Sequence, residues 1–367
     1  MTAQRYPALD IFRGMTICFM IIVNTAGGDP TFAPLMHAKW HGFTPTDLVF
    51  PSFLFAVGNA MSFVMLKWAQ WPNAKVVTKI LKRTLLIFLL GYLMYWFPFF
   101  KASETGGLEL RPISSTRIFG VLQRIALCYG IAVLMIHFMK PRWVIALAAF
   151  GLILYKWLLG QFGDMTLEGN AVLKLDLFLF GPNHLYHGEG MAFDPEGLLS
   201  TLPAISNVVA GYFVGRFVQQ KGKSYEGLTY LLLAGFALLT IAYFWDSSFP
   251  INKKLWTSTF VLYTVGLDLI ILATIIFAVD FKNIQTGRYF FEVFGKNPLF
   301  IYLLSEVGVT ILWLIPVGDK ALYNTLYENV FIYAGPYWAS LSFALWWMFT
   351  CWLVGWWMDR KGWYVRV

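Results

Sequence analysis

Charge is scarce in this sequence. Of 367 residues, 13% are Asp, Glu, Lys or Arg, about half of the roughly 25% found in soluble domains. A chain so poor in charge cannot coat itself with a solvated surface, which excludes an ordinary soluble enzyme. Cysteine is nearly absent too. The three thiols, Cys18, Cys128 and Cys351, fall inside apolar runs, so neither a disulfide framework nor a cysteine-based zinc site is expected. There is no repeat of roughly 20–50 residues and no low-complexity tract, which argues against a solenoid or a disordered linker.

Apolar residues fill the space instead, at 58% of the chain. Runs of roughly 20 residues, the length that crosses a ~30 Å hydrocarbon core, recur at 10–28, 46–68, 79–99, 116–139, 142–160, 198–220, 226–245, 256–280, 296–315 and 335–358. They predict an all-α polytopic membrane protein with about ten transmembrane helices in a single domain over 1–367. The polar stretch 161–197 is long enough for a structured extramembrane lid. Asp10 and Arg13 interrupt the first run and no small-residue cleavage site follows it, so it is expected to be an uncleaved anchor.

The net charge of +8 is distributed in a way that argues for topology rather than nucleic-acid binding. Arg5; Lys67, Lys75, Lys79, Lys82 and Arg83; Lys140 and Arg142; Arg216, Lys221 and Lys223; Lys282, Arg288 and Lys296; and Arg360, Lys361 and Arg366 all lie at alternate span ends. The positive-inside rule then predicts cytoplasmic termini and outward loops at 29–45, 100–115, 161–197, 246–255 and 316–334.

A charge within a span costs ~2.5–3.5 kcal/mol at the helix centre, so each one needs a reason. Asp10 and Arg13, three apart, share a helix face and are expected to pair. Arg124 is expected about a third of the way into the fourth span, with Glu306 as its partner or as a substrate contact. Asp268 raises the same question, and buried pairs that only fix packing remain an alternative. Asn24 ends the first span, where it could bond a neighbouring helix. Four of the five histidines, His37, His41, His184 and His187, fall in outward loops. The 37/41 spacing suits zinc, but Gly42 and Pro45 follow at once and no further ligand motif is present, so no metal is expected. An outward imidazole beside embedded polar groups can instead accept a proton or attack an acyl group. The residues alone leave two classes open, a transporter and a membrane enzyme.

The blocks "LDIFRGMTICFMIIVNTAGG", "HAKWHGFTPTDLVFPSFLFAVG", "RIFGVLQRIALCYG", "NHLYHGEGMAFDPEGLLSTL", "PINKKLWTSTFVL" and "FGKNPLFIYLLSEV", taken in order, resemble the heparan-alpha-glucosaminide N-acetyltransferase family and its bacterial inner-membrane relatives. The resemblance implies transfer of acetyl from cytoplasmic acetyl-CoA to the amino group of glucosamine or a terminal glucosaminide on the far side of a bacterial inner membrane. It implies His37 as the reactive histidine and Asn24 as the family asparagine, here expected to donate to an oxyanion. Asp47, Arg124, His184, Asp194, Glu196 and Glu306 are the expected substrate contacts, and Asp10, Arg13, Lys79, Lys82 and Arg83 the expected surroundings of acetyl-CoA. Position 41 is His where the animal pattern has Asn, and Ser305 stands where that pattern has His. The rivals are a membrane O-acyltransferase of envelope polysaccharide and an amino-sugar transporter relaying through Arg124, Asp268 and Glu306. The sequence leaves a homo-oligomer open.

Overall fold

Thirteen α-helices are present among residues 6–102 and 107–365, which the computed structural model describes; Arg5 and Arg366, two of the topology charges, lie outside them. Each of the ten expected spans corresponds to a long helix. These are α1 (Pro7–Asn24), α2 (Pro45–Trp68), α3 (Asn73–Trp96), α4 (Val121–Phe138), α5 (Pro141–Phe162), α7 (Thr201–Lys221), α8 (Tyr225–Asp246), α9 (Ser258–Ile276), α11 (Pro298–Leu314) and α13 (Pro336–Arg360). Shorter helices, α6 (Ala171–Phe180), α10 (Arg288–Lys296) and α12 (Leu322–Leu326), fill the connections. Seven helices are long and apolar enough to cross a membrane, or eight when α10 and α11, bent by 84° at their junction, count as one span. α3 and α7 have the length of a span but not the apolarity, because α3 opens on Lys75, Lys79, Lys82 and Arg83 and α7 carries Asn207, Arg216 and Lys221.

Small residues set the tightest packing. A Cβ at Gly58 of α2 would stand 2.0 Å from the Val208 carbonyl oxygen, and one at Gly211 of α7 2.0 Å from that of Phe55. The two backbones are therefore in contact, the device that lets helices associate where no hydrophobic force separates helix from lipid. Gly14 does the same for α1 against α10, where a Cβ would meet the Phe291 carbonyl oxygen at 1.8 Å.

The long helices alternate in direction, so the five expected outward loops gather at one end of the bundle. Gly42 N donates to Ile251 O at 2.8 Å, Trp40 Nε1 to Met165 O at 2.7 Å and Ile118 N to His184 O at 3.1 Å. Tyr323 adds a bond to Ala26 O at 2.6 Å. The opposite end is tied by Tyr6 to Gln219 O, His137 to Asn73 and Lys296 to Asp359. The 161–197 connection is structured, with α6 inside it.

Residues 116–120 corrected one expectation. They form an irregular, bent segment rather than a helix, and α4 starts at Val121. Gly120 faces the Tyr95 ring so closely that a Cβ there would lie 2.1 Å from the phenol oxygen. Arg124 thus sits in the first turn of α4, at the loop end, rather than a third of the way down.

Candidate active site

The turn into α2 builds the centre of the site. Thr44 precedes the helix, Pro45 opens it with the φ a first turn requires, and Asp47 stands in that turn, where a carboxylate meets unpaired backbone N–H groups. Asp47 Oδ2 accepts from Thr44 N at 3.0 Å and Ala38 N at 3.1 Å, with the Thr44 hydroxyl 3.0 Å away. Its other oxygen lies 2.7 Å from His37 Nδ1. The carboxylate is fully buried, while the imidazole it holds is 42% exposed. An ionised carboxylate can only accept, so His37 carries its proton on Nδ1 and turns a lone pair on Nε2 outward.

A third group joins this pair. Lys253 Nζ lies 3.1 Å from His37 Nε2 and 3.3 Å from Nδ1. It is presented by the turn between α8 and α9. There buried Asn252 accepts from Leu255 N at 2.8 Å, and Trp256 adopts φ 53°, a left-handed value costly for a bulky residue. Trp256 tolerates it because its ring is wholly buried and donates from Nε1 to Asn207 at 3.1 Å. Burial pushes the half-buried Lys253 ammonium below its ordinary pKa, further helped by Lys254 and Arg124 and opposed by the charges of Glu196 and Asp47. Lys254 turns the other way, onto Lys39 O at 2.8 Å and the Glu189 carboxylate. Burial also pushes the His41 imidazole down, against the pull of Asp246, and its Nδ1 faces Asn252.

Beside this group lies a buried ion cluster. Arg117 holds Asp194 with two bonds of 2.8 and 2.7 Å and reaches Glu196 at 2.7 Å. Its guanidinium lies over the rings of Tyr95 and Tyr186, 4.8 Å from each. Burial raises the cost of ionising Glu196, but Arg117, Arg124 and Lys253 outweigh it and hold that carboxyl below its ordinary value. Glu196 therefore links the Arg117 cluster to Lys253 electrostatically. The same field reaches Tyr95, on which Glu306 also acts.

Asn24 and Glu306 bond to one another at 3.2 Å, so Glu306 is not the partner of Arg124. Arg124 is fully buried, donates to Gly197 O at 3.2 Å and to the Ser200 hydroxyl, and lies over the Trp256 ring. Its Nε and Nη1 find no partner among the described residues. Helix packing decides the exchange, because α1 and α11 adjoin while the first turn of α4 faces the 197–200 turn. His184 spends Nδ1 on Thr116 O at 2.8 Å. Asp268 is deep in α9, bonded to Ser52 at 2.5 Å.

The structure thus groups His37 with Asp47, Asp194 with Glu196, and Asn24 with Glu306. Asp10 and Arg13 pair as expected at 2.9 Å, with Arg13 also on Gly295 O. They lie with Lys79, Lys82 and Arg83 toward the other end, where Arg83 covers the Tyr129 ring and Lys79 those of Trp68 and Trp71. Sequence reasoning missed Arg117, Lys253 and Lys254. The signal was present: all three are cations in or beside loops expected to face outward, which the positive-inside bias should leave poor in Lys and Arg.

A family model described as the catalytic region of heparan-alpha-glucosaminide N-acetyltransferase matches residues 5–240. The chain belongs to this family. The matched region carries Asn24, His37, Asp47, Arg117, Asp194 and Glu196, while Lys253 and Glu306 lie beyond it. Two curated members of the heparan-alpha-glucosaminide N-acetyltransferase family are similar to the chain. The Mus musculus protein is 28% identical over 83% of this chain and 54% of its own length, and the Homo sapiens protein 28% over 83% and 53%. The chain therefore spans about half the length of the curated relatives it matches.

Proposed function

We propose that the protein is a transmembrane N-acetyltransferase of a bacterial inner membrane. In this reading it moves acetyl from cytoplasmic acetyl-CoA to the amino group of glucosamine or a terminal glucosaminide on the other side. One observation carries the reading. In a member of this family, His37 is held through Nδ1 by a buried carboxylate and offers Nε2 at the loop end.

Acetyl-CoA supplies a thioester already activated for acyl transfer. The cations present suit its phosphates: Lys79 and Lys82 are exposed and Arg83 half-buried near the start of α3, a helix about 36 Å long at 1.5 Å per residue that ends beside Arg117. Asp10 and Arg13, paired on the first turns of α1, border the same end. His37 Nε2 takes the proton from the acceptor amine or carries the acetyl group itself, and Asp47 keeps the tautomer that makes either possible. Asn24 has two amide hydrogens and gives one to Glu306, leaving the other for the developing oxyanion. Such a bond contributes about 2.7–4 kcal/mol in a well-formed site. His184 Nε2 and the unused carboxylate lone pairs of Glu196 and Glu306 are the groups left for sugar hydroxyls and ammonium, while Asp194, with both oxygens on Arg117, and the fully buried Arg124 stand behind them.

The test uses purified parent and His37→Ala in detergent with acetyl-CoA, with and without glucosamine. Free CoA thiol and N-acetylglucosamine are followed together. Glucosamine-dependent product from the parent and none from the variant is the expected result. Thiol release with unmodified glucosamine would redirect the search to polysaccharide hydroxyls, whose esters, unlike an amide, yield to mild base. No thiol release at all, together with uptake of labelled amino sugar into liposomes, would overturn the reading in favour of transport.

A further inference from the structure

The contact between Lys253 and His37 has an unusual geometry. Nζ is nearly equidistant from the two ring nitrogens, at 3.3 and 3.1 Å. An atom so placed in the ring plane would overlap ring carbon, on whichever side it lay. Nζ therefore stands over the face of the imidazole. A simple in-plane hydrogen bond would occupy the Nε2 lone pair, whereas this arrangement leaves that lone pair open and sets a primary amine over the ring face beside it.

We infer that Lys253 is a site of self-acetylation, at which Nζ takes the acetyl group delivered to His37 when no acceptor amine is bound. This inference rests on the proposed acetyl-transfer function. A carbonyl carbon is attacked from above its plane, and an acyl group conjugated with imidazole lies in the plane of the ring, so Nζ is on a face from which attack can come. Nζ lies 3.1 Å from Nε2, the atom that would carry the acyl carbon, so amine and acyl group would be neighbours without rearrangement of the chain. The amine must be neutral to attack, and desolvation of Lys253 favours that form. In the step, the Nζ lone pair forms a bond to the acetyl carbon and the carbon–sulfur bond of the thioester breaks, directly or by way of His37 Nε2. The electron pair leaves on the CoA sulfur. Of the two protons that the lysine ammonium loses, one ends on the CoA thiolate and one in solvent. The products are an amide at Lys253 and free CoA, and no other reactant is needed.

Two neighbours provide internal comparison. Lys254 is adjacent in sequence but is bound to Glu189 and Lys39 O. Lys39 is exposed on the same loop as His37. Acetylated Lys253 would no longer place a cation between Asp47 and Glu196, so the modification would also alter the field of the site. Scarce acceptor would then lead to a covalently changed enzyme.

The experiment incubates the parent protein with isotope-labelled acetyl-CoA, with and without glucosamine, and maps labelled lysines by peptide mass spectrometry after hydroxylamine, which removes thioesters and acyl-imidazole but spares amides. The expected result is label at Lys253 exceeding that at Lys254 and Lys39 by roughly tenfold or more, a small part of what held geometry can confer. Glucosamine should suppress it and Lys253→Arg should lack it. Acetylated glucosamine with Lys253 unlabelled, or label spread evenly over the lysines, overturns the inference and leaves the acetyltransferase standing. Label on neither glucosamine nor protein overturns both. The parent digest decides the matter even if Lys253→Arg does not fold.

Discussion

Asp47 and Asp194 are the same group at nearly the same burial, 0% and 1% exposed, yet they serve different ends. Asp47 takes two backbone N–H bonds at the start of α2 and gives its remaining oxygen to an imidazole that is 42% exposed. Asp194 gives both oxygens to a guanidinium that is 17% exposed and lies over two tyrosine rings. The first carboxylate orients a group whose other side is open to reaction; the second closes a charge into the structure. Whether a buried acid serves chemistry or architecture is decided here by the far side of its partner, not by the acid.

The largest effect should come from Asp47→Asn. The amide oxygen can keep the bonds from Ala38 and Thr44, but its NH2 then faces His37 Nδ1 and moves the ring proton to Nε2. Turnover should fall by about 10³–10⁴-fold, or ~4–5.5 kcal/mol, with folding retained. Acetyl transfer and thermal unfolding measured on the same sample check this, and an active variant would break the comparison.

Asp194→Ala should show the opposite pattern. It leaves Arg117 buried with only Glu196 and should lower stability by about 3–5 kcal/mol, the range for removing one partner of a buried pair. Denaturation in detergent reads this directly, and an unchanged midpoint would mean that the cluster is dispensable.

A third buried aspartate sharpens the contrast, because it has no direct ion pair among the described residues. Asp176 on α6 accepts from Leu198 N at 3.1 Å, and its other oxygen has no partner among the described residues. Burial pushes its carboxyl up to about 7, with Asp194 adding to the rise and the Leu198 bond and Arg124 opposing it. A carboxyl with a raised folded-state pKa favours the fold while protonated. That contribution is complete below the unfolded value of ~3.9 and is lost as pH rises through 7. Asp176→Asn, which keeps the bond from Leu198, should therefore be more stable than the parent by about 1–3 kcal/mol near pH ~8, and by clearly less near pH ~5. Unfolding midpoints across that window test the sign.

The smallest effect is expected at the other end of the bundle. Lys79→Gln with Lys82→Gln removes two exposed charges and should change stability by less than about 1 kcal/mol. The KM for acetyl-CoA should rise several-fold and more steeply at low salt, as for any exposed charge contact. An unchanged KM would remove this cluster from the phosphate site.

The helices were legible because each run of apolar residues must satisfy its own backbone in lipid, and helix formation does so locally. Residues 116–120 were misread as helix because hydropathy cannot report the crowding of Gly120 against Tyr95. The pairing of Asp10 with Arg13 was legible for the same local reason, three residues being most of a turn. His37 and Asp47 were singled out, ten residues apart in one loop and helix start. Their hydrogen-bond geometry was not foreseen, nor were the partners of the remaining charges.

Sequence by itself determined that this chain is a bundle of membrane helices, which charges stand at alternate span ends, and where a helix begins on Pro45 and Asp47. Those outcomes follow from hydropathy, backbone hydrogen bonding and capping, all of which act within a few turns of chain. Only the tertiary structure decided that Arg117 meets Asp194 across 77 residues, that Lys253 meets His37 across 216, and that Glu306 faces Asn24 rather than Arg124. In a bundle one hydrophobic helix face is as good as another, and contacts such as Gly58 against Val208 choose the neighbours. That choice, made by shape at close range, brings the distant charges together.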